Sequence, residues 1–439
     1  MIDFTLTEEQ HKLQSAAHEF AHNVLSGARA TYSQYSNQFQ RFAVTRPIYK
    51  KAVLAGIIKA QVPEELGGAS GDLVDSAILI EELYAVDPGA SVTILGTCLG
   101  LMPLIFGGSK EQHDKLLKPF LGEKDEPLAS LVHSEPGGTA NWLEKGGKGL
   151  QTTARKDGDD WIINGEKLWT TNSSGWDKLG ANLQCVVCRF SPDGGPQDPD
   201  AEPRDNIVIL LVTREVVAKN PRDAYQVFDE LELAGHNASS SPHTKFVEFR
   251  VPAANCLAGP KGNGASLVEQ SFGTSAALVG AMAVGVMRTT FEAALDFTKN
   301  NTRGGSIPIL ARQSVADIMI NIKMKTESSR YLTWKALHCL QNGPGEFKDR
   351  LELALEAKIF CSDVAVECVV DAMKAVGMSS YSKDRPFQQL LNDAICLPIF
   401  DGGNIGIRRR QLEKLFLAED YKPWETSYGL SQAASSSLH

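Results

Sequence analysis

The 439-residue sequence predicts an α+β protein in three successive parts: an N-terminal helical domain, a small middle β-barrel and a C-terminal four-helix bundle. Three observations carry this reading. Over residues 1–125, apolar residues recur at helical spacing. Over 126–260, short apolar runs alternate with Gly-, Asp- and Pro-rich turns, the pattern of many short strands. Over 261–430, long Ala-rich runs return to the helical period, and 431–439 reads as a Ser- and Ala-rich disordered tail.

Each element has its own signal. Thr7-Glu8-Glu9-Gln10 is a capping box ahead of a helix with Leu13, Ala16, Ala17, Phe20 and Ala21 on one face. Residues 63–68 form a loop, a second helix spans about Leu73 to Ala85, and Pro103 with Gly107-Gly108 punctuates the next. In the middle part, Asp157-Gly158-Asp159-Asp160 turns a hairpin between Thr152–Arg155 and Trp161–Ile163. Further strands are expected at 185–188, 207–212 and 246–251, with an exposed loop at 192–205. The bundle helices are expected at 267–299, 313–341, 348–377 and 404–419.

Composition narrows the function. The formal net charge of −9, with no basic run longer than Arg408-Arg409-Arg410, argues against a nucleic-acid partner. No run of 18 wholly apolar residues occurs, so no membrane span is expected, and a cytoplasmic location with eight reduced cysteines is the default expectation. The first residues lack a signal-peptide pattern, and Ser-Ser-Leu-His is not a peroxisomal address.

G-x-G-x-x-G after a strand, H-E-x-x-H, the P-loop and G-x-S-x-G are all missing from the sequence. Cys185-x-x-Cys188 is not read as a metal site, because strand positions i and i+3 point to opposite faces.

The order of helical domain, barrel and bundle resembles the acyl-CoA dehydrogenase superfamily, and local motifs extend the likeness along nearly the whole chain. Ser130-Leu131-Val132-His133-Ser134-Glu135-Pro136-Gly137 is similar to that family's flavin-binding strand and turn. Asn164-Gly165-Glu166-Lys167-Leu168-Trp169-Thr170-Thr171-Asn172 is similar to its second flavin strand. The resemblance implies FAD, with Leu131, Val132, His133, Ser134, Thr139, Ala140, Asn141 and Thr170 along the ring, Trp169 packed on it and Thr171 bonding N5. It also implies pyrophosphate and adenosine contacts from Arg303, Arg312 and Gln313, supplied across a subunit boundary in a homotetramer. Met373, Lys374, Ala375, Val376 and Gly377 match the segment under the adenosine half, with Lys374 where the dehydrogenases usually have Gln.

The run from Asp393-Ala394 through Phe400-Asp401-Gly402-Gly403-Asn404 to Arg408 is similar to the family's catalytic stretch. By that likeness Asp401 is the base that takes the substrate α-proton, Arg408 holds it, Ser275 donates a hydrogen bond nearby, and Gly402, Gly403 and Asn404 border the cofactor. Asp stands where most dehydrogenases have Glu. His133–Pro136, Ser275–Met282, Thr302–Ser306, Phe400–Gly406 and Glu419–Trp424 resemble the nitroalkane-oxidising branch of the superfamily more closely than its dehydrogenases. Thr170-Thr171 and Leu397 depart from that branch, which would have Pro-Ser and Tyr.

The resemblance implies proton abstraction from a neutral nitroalkane, carbanion attack on flavin N5 and loss of nitrite. An aldehyde or ketone is released, and dioxygen reoxidises the flavin to give hydrogen peroxide. The rival readings are an acyl-CoA dehydrogenase or oxidase of the same fold, and an FAD-bearing scaffold without activity.

Overall fold

The computed structural model describes residues 4–430; the tail expected to be disordered lies outside them. The first helical part comprises α1 (Glu8–Phe20), α2 (Ala28–Tyr32), α3 (Gln38–Val44), α4 (Arg46–Leu54), α5 (Leu73–Tyr84), α6 (Pro88–Gly107), α7 (Lys110–Leu116) and α8 (Lys118–Leu121). The Thr7 capping box forms: Gln10 N donates to Thr7 Oγ1 and Thr7 N to Gln10 Oε1. Asp87 caps α6 by accepting from Ala90 N at 2.8 Å, and Pro88 sits where a helix needs no N–H. Pro103 does not punctuate the chain as expected. It is buried within α6, which continues to Gly107 before Gly108 breaks it. Burial of nearly every residue around it holds the helix through the missing hydrogen bond.

The middle part is one eight-stranded sheet: β1 (Ala129–Val132), β2 (Thr153–Asp157), β3 (Asp160–Lys167), β4 (Leu183–Phe190), β5 (Ile207–Thr213), β6 (Tyr225–Val227), β7 (Thr244–Pro252) and β8 (Cys256–Ala258). A short helix, α9 (Arg214–Lys219), follows β5. The order is β6-β7-β3-β2-β4-β5-β8, with β1 parallel to β4. The ladder is open, with β6 and β8 at its ends. The sheet nevertheless curls like a barrel, because Val208 and Val212 of β5 share a core with Phe249 and Val251 of β7. Alternation places Cys188 in that interior and Cys185 in a second core against α6, so the two thiols do lie on opposite faces.

The last part holds α10 (Gly264–Asn300), α11 (Gln313–Asn342), α12 (Glu352–Val376), α13 (Phe387–Cys396), α14 (Arg409–Phe416) and α15 (Glu425–Tyr428). The expected fourth bundle helix at 404–419 is corrected by the structure. Residues 403–408 form a π-helix, and α14 buries no residue. The fourth packed helix is α13, whose Phe387, Leu390 and Ala394 enter the bundle core with α10, α11 and α12. α14 begins with Arg409-Arg410, is amphipathic but cationic, and lies against α12 without burying a residue.

Two helices, α6 and α10, are long and apolar enough by composition to cross a membrane, although neither holds an unbroken apolar run of 18 residues. Their apolar windows are 72% and 67% buried within the protein, which accounts for the composition. The helical part is bolted to the bundle by buried charges: Arg288 of α10 bonds Glu81 and Glu82 of α5, and Arg330 of α11 bonds Glu81 at 2.8 and 3.0 Å.

The helix–sheet contact depends on Gly100. A Cβ there would stand 2.2 Å from Ser130 N and 2.3 Å from the Ala129 carbonyl carbon, both in the β1 backbone. Gly100→Ala is therefore expected to destabilise the protein by about 1–3 kcal/mol through overpacking, measured as a lower urea midpoint; an unchanged midpoint would show that α6 can shift freely.

Candidate active site

The two flavin-like segments meet at one corner of the sheet. Leu168 N donates to Ser134 O at 2.9 Å, joining the end of β3 to the end of β1. Lys167, fully buried, donates from Nζ to His133 O at 2.8 Å and to Glu135 Oε1 at 2.9 Å. Glu135 also accepts from Gln151 N at 2.7 Å and Thr152 N at 2.9 Å. Burial pushes the Glu135 carboxyl up, but Lys167 and the two amides outweigh it and hold it below its usual range. Neither residue stands out in sequence, where Lys167 follows Glu166 and Glu135 lies between Ser134 and Pro136; the pairing is visible only in the fold.

Beyond Lys167 the chain turns sharply. Trp169 and Asn172 both adopt left-handed backbone, with φ of 66° and 70°. Asn172 is anchored to α6 through Thr93 O at 2.8 Å and Thr97 Oγ1 at 3.3 Å. Thr170 is buried with its hydroxyl on Ser173 Oγ, whereas Thr171 is half-buried against Gly96 of α6, and the Trp169 indole is exposed. His133 is buried between Trp142 and Phe272, and its Nε2 has no partner among the described residues. Burial and then Lys167 push its imidazole down to about 3, so it is neutral at working pH. An open indole, an available threonine hydroxyl and an orphaned imidazole nitrogen at one corner fit a flat heteroaromatic ring such as isoalloxazine.

The second half of the site is a strained corner. Asp401, Gly402 and Gly403 all have positive φ (51°, 91° and 59°). Ser275 Oγ of α10 donates to Asp401 Oδ1 at 2.9 Å. Arg408, buried, donates from Nε and Nη2 to the Asp401 carbonyl at 3.0 and 2.8 Å, and from Nη2 to Phe272 O at 3.0 Å and Asp401 Oδ2 at 3.5 Å. Arg408 thus grips the backbone of the base more tightly than its carboxylate. Phe272 stacks edge-on with His133, which links this corner to the flavin-like corner. Thr139, Ala140 and Asn141 approach from the same side: Arg410 bonds Asn141, and Ala140 lies against Gly406.

Several residues expected at the cofactor have side chains packed or bonded within the protein. Val132, Ala375 and Val376 belong to hydrophobic cores, and Leu131 to the core against α6. Asn404 turns inward and bonds Lys358, Ile359 O, Ser362 and Asp363. Asp393 takes a structural place, accepting from His236 N at 2.7 Å and from Gln389.

Arg303, Arg312 and Gln313 are exposed at the α10–α11 connection, away from Asp401. Arg303 Nη2 donates to Ala375 O at 2.9 Å beside Gly377, while Lys374 pairs with Asp371 and Met373 is half-buried. Ala375 is roughly 25 Å along α12 from Lys358, which touches the base turn, at about 1.5 Å per residue. The residues matched to the pyrophosphate and adenosine therefore sit at the opposite end of the bundle from those matched to the flavin ring.

Removing the cation beneath the flavin-like corner tests how far that corner depends on it. Lys167→Met leaves Glu135 buried and unpaired, and is expected to cost about 3–5 kcal/mol in denaturant unfolding at neutral pH. Since the folded Glu135 carboxyl lies below its unfolded value, the contribution is fully present above the ordinary Glu range. It fades as pH falls through the folded value, so the wild-type and variant stabilities should converge in acid. A gap that persists in acid would assign the loss to packing.

Comparison with known proteins agrees with this geometry. The family models for the acyl-CoA dehydrogenase N-terminal domain and C-terminal domain match residues 7–124 and 262–416. The chain is 54% identical to nitroalkane oxidase of Fusarium oxysporum, with both chains covered in full. It is 48% identical to nitroalkane oxidase of Podospora anserina, covering 98% of this chain and 99% of that one. A solved nitroalkane oxidase, an active-site mutant crystallised with 1-nitrohexane, superposes with a TM-score of 0.96 at 55% identity, covering 98% of this chain and 100% of that one. With a strained Asp401 corner, a flavin-like corner facing it and this similarity over its full length, the chain belongs to the nitroalkane oxidase family of the acyl-CoA dehydrogenase fold.

Proposed function

We propose that the chain is an FAD-dependent oxidase that converts a neutral nitroalkane, water and dioxygen into an aldehyde or ketone, nitrite and hydrogen peroxide. The observation that carries this reading is the Asp401 carboxylate, held by Ser275 at 2.9 Å on a turn that Arg408 fixes through the Asp401 carbonyl. Solved relatives include active-site mutants crystallised with 1-nitrohexane and 1-nitrooctane.

Asp401 takes the α-proton. Nitroalkane protons are acidic but leave slowly, so a fixed base gains most by proximity. Ser275 fixes Oδ1 by its hydroxyl, and Arg408 Nη2 reaches Oδ2 only at 3.5 Å, so Oδ2 is the less tightly held oxygen and the one assigned to the substrate carbon. FAD, when bound, supplies the two-electron acceptor and returns the electrons to dioxygen. Thr171 and the backbone of residues 131–134 would hold the ring edge, with Trp169 against it. The rings of Phe272 and Trp142 pack edge-on against His133, which is itself neutral. A neutral substrate suits such a site, because entry costs no charge desolvation.

The adenosine half of the cofactor is read as crossing to a second copy, in a homotetramer. Two features support this: the distance between the two contact sets along α12, and exposed Phe360, Phe416 and Leu417 around an apolar groove between α12 and α14. A cytoplasmic location is part of the same proposal.

Two measurements test the reading. Asp401→Asn is expected to lower kcat/KM for neutral nitroethane by about 10²–10⁴-fold, the usual worth of a general base. Oxidation of preformed nitroethane anion should be spared, because that substrate has already lost its proton. An equal loss on both forms would remove Asp401 from the role of base. Arg303→Ala should weaken FAD retention about 10–100-fold, the worth of a charged hydrogen bond, and should loosen assembly in sedimentation; unchanged FAD content and assembly would refute the cross-subunit contact.

A further inference from the structure

Lys358 lies on the inward face of α12 with no exposed surface. No step described above uses it. Its Nζ donates to Leu397 O at 3.0 Å and to Asn404 Oδ1 at 2.6 Å. These two residues bracket the stretch that carries Asp401. Asn404 Nδ2 in turn bonds Ile359 O, Ser362 Oγ at 2.9 Å and Asp363 Oδ1 at 2.8 Å, all on α12, and Asn404 N bonds Pro398 O at 2.8 Å across the turn. The ammonium makes no direct ion pair among the described residues. Burial pushes it down to about 8 against the pull of nearby Asp401, Asp363 and Cys396, with Arg408 opposing it from the π-helix. An apolar residue would fill the same helix face without that desolvation, so the ammonium is kept for what it bonds.

We propose that Lys358 is a positioning residue for proton abstraction, clamping both ends of the base turn so that Asp401 meets the substrate α-carbon in one geometry. Arg408 holds the middle of the turn by the Asp401 carbonyl, and Lys358 holds its two ends to α12. The inference rests on the assignment of Asp401 as base. It concerns the neutral substrate alone, since an anion needs no proton removed.

The test compares the two substrate forms in the FAD-loaded enzyme. Lys358→Met keeps side-chain length and removes the ammonium. It should lower kcat/KM for neutral nitroethane by roughly 10–100-fold, as a displacement of about 1 Å between reacting groups does, while the preformed anion changes by less than about threefold. Lys358→Gln retains a shorter donor and should recover part of the loss; it carries the same comparison if the Met variant does not fold with FAD bound. Equal losses on both forms, or no loss on the neutral form, overturn the proposal. Asp401→Asn in the same assay separates the two assignments. If it fails to discriminate between the forms, the base assignment falls; if it discriminates and Lys358→Met does not, only the clamp falls.

Discussion

The grip of Arg408 on the Asp401 carbonyl is the contact on which the rest of the site depends. Asp401 pays for a left-handed backbone with about 1–3 kcal/mol, although Asp tolerates that region better than most residues. Two bonds from a buried guanidinium, each worth about 1.5–3 kcal/mol when one partner is charged, exceed that cost. Gly402 is required by the same contact, whereas Gly403 answers only to its positive φ. A Cβ on Gly402 would stand 2.8 Å from Arg408 Nε, so a side chain there would displace the group that stabilises the turn. Strain, glycine and arginine therefore form one device that holds a short carboxylate against Ser275 of α10.

The site is assembled from elements far apart in sequence, and buried charge does most of the joining. Glu135 and Lys167 lock the ends of β1 and β3 together, Glu81 and Glu82 lock α5 to α10 and α11, and Arg408 locks the base turn to Phe272 of α10. Apolar packing alone would tolerate small slides between these elements. Charge-assisted bonds with several partners each define one register, and a slide leaves a buried charge unsatisfied at a cost of several kcal/mol. The flavin-like corner and the base corner are thus fixed relative to one another through α10 and α6 rather than by direct contact.

Much of this was legible in the sequence. The change of period marked the helical, strand and helical stretches, and turn chemistry located the hairpin of β2 and β3. The alternation rule separated Cys185 from Cys188, and motif likeness brought Ser275, Asp401 and Arg408 together. What escaped was tertiary. The 404–419 run is periodic enough to read as a core helix, yet within it α14 buries no residue, and α13 takes its place. Pro103 looked like a stop because local sequence does not reveal that the surrounding helix is enclosed. Asn404 looked like a cofactor contact because it follows the base; only the structure shows its amide spent on α12. Lys358 drew no notice, although a lysine among Leu353, Ala354, Leu355, Ala357 and Ile359 on a periodic helix is the signal of a buried cation.

The departures from the expected branch pattern become intelligible once backbone and side-chain contributions are separated. Leu397 replaces an expected Tyr, but the atom that engages the base turn at this position is its carbonyl, which Lys358 holds and which any residue supplies. Its side chain is wholly buried in the bundle core, where it contributes packing and no polar group. At 170–171 the division is similar: the Thr170 hydroxyl is spent on Ser173, leaving Thr171 as the hydroxyl available at the corner. Positions whose backbone does the positioning are free to vary, whereas Ser275, Asp401 and Arg408 act through side-chain atoms and cannot be exchanged without altering the geometry of proton removal.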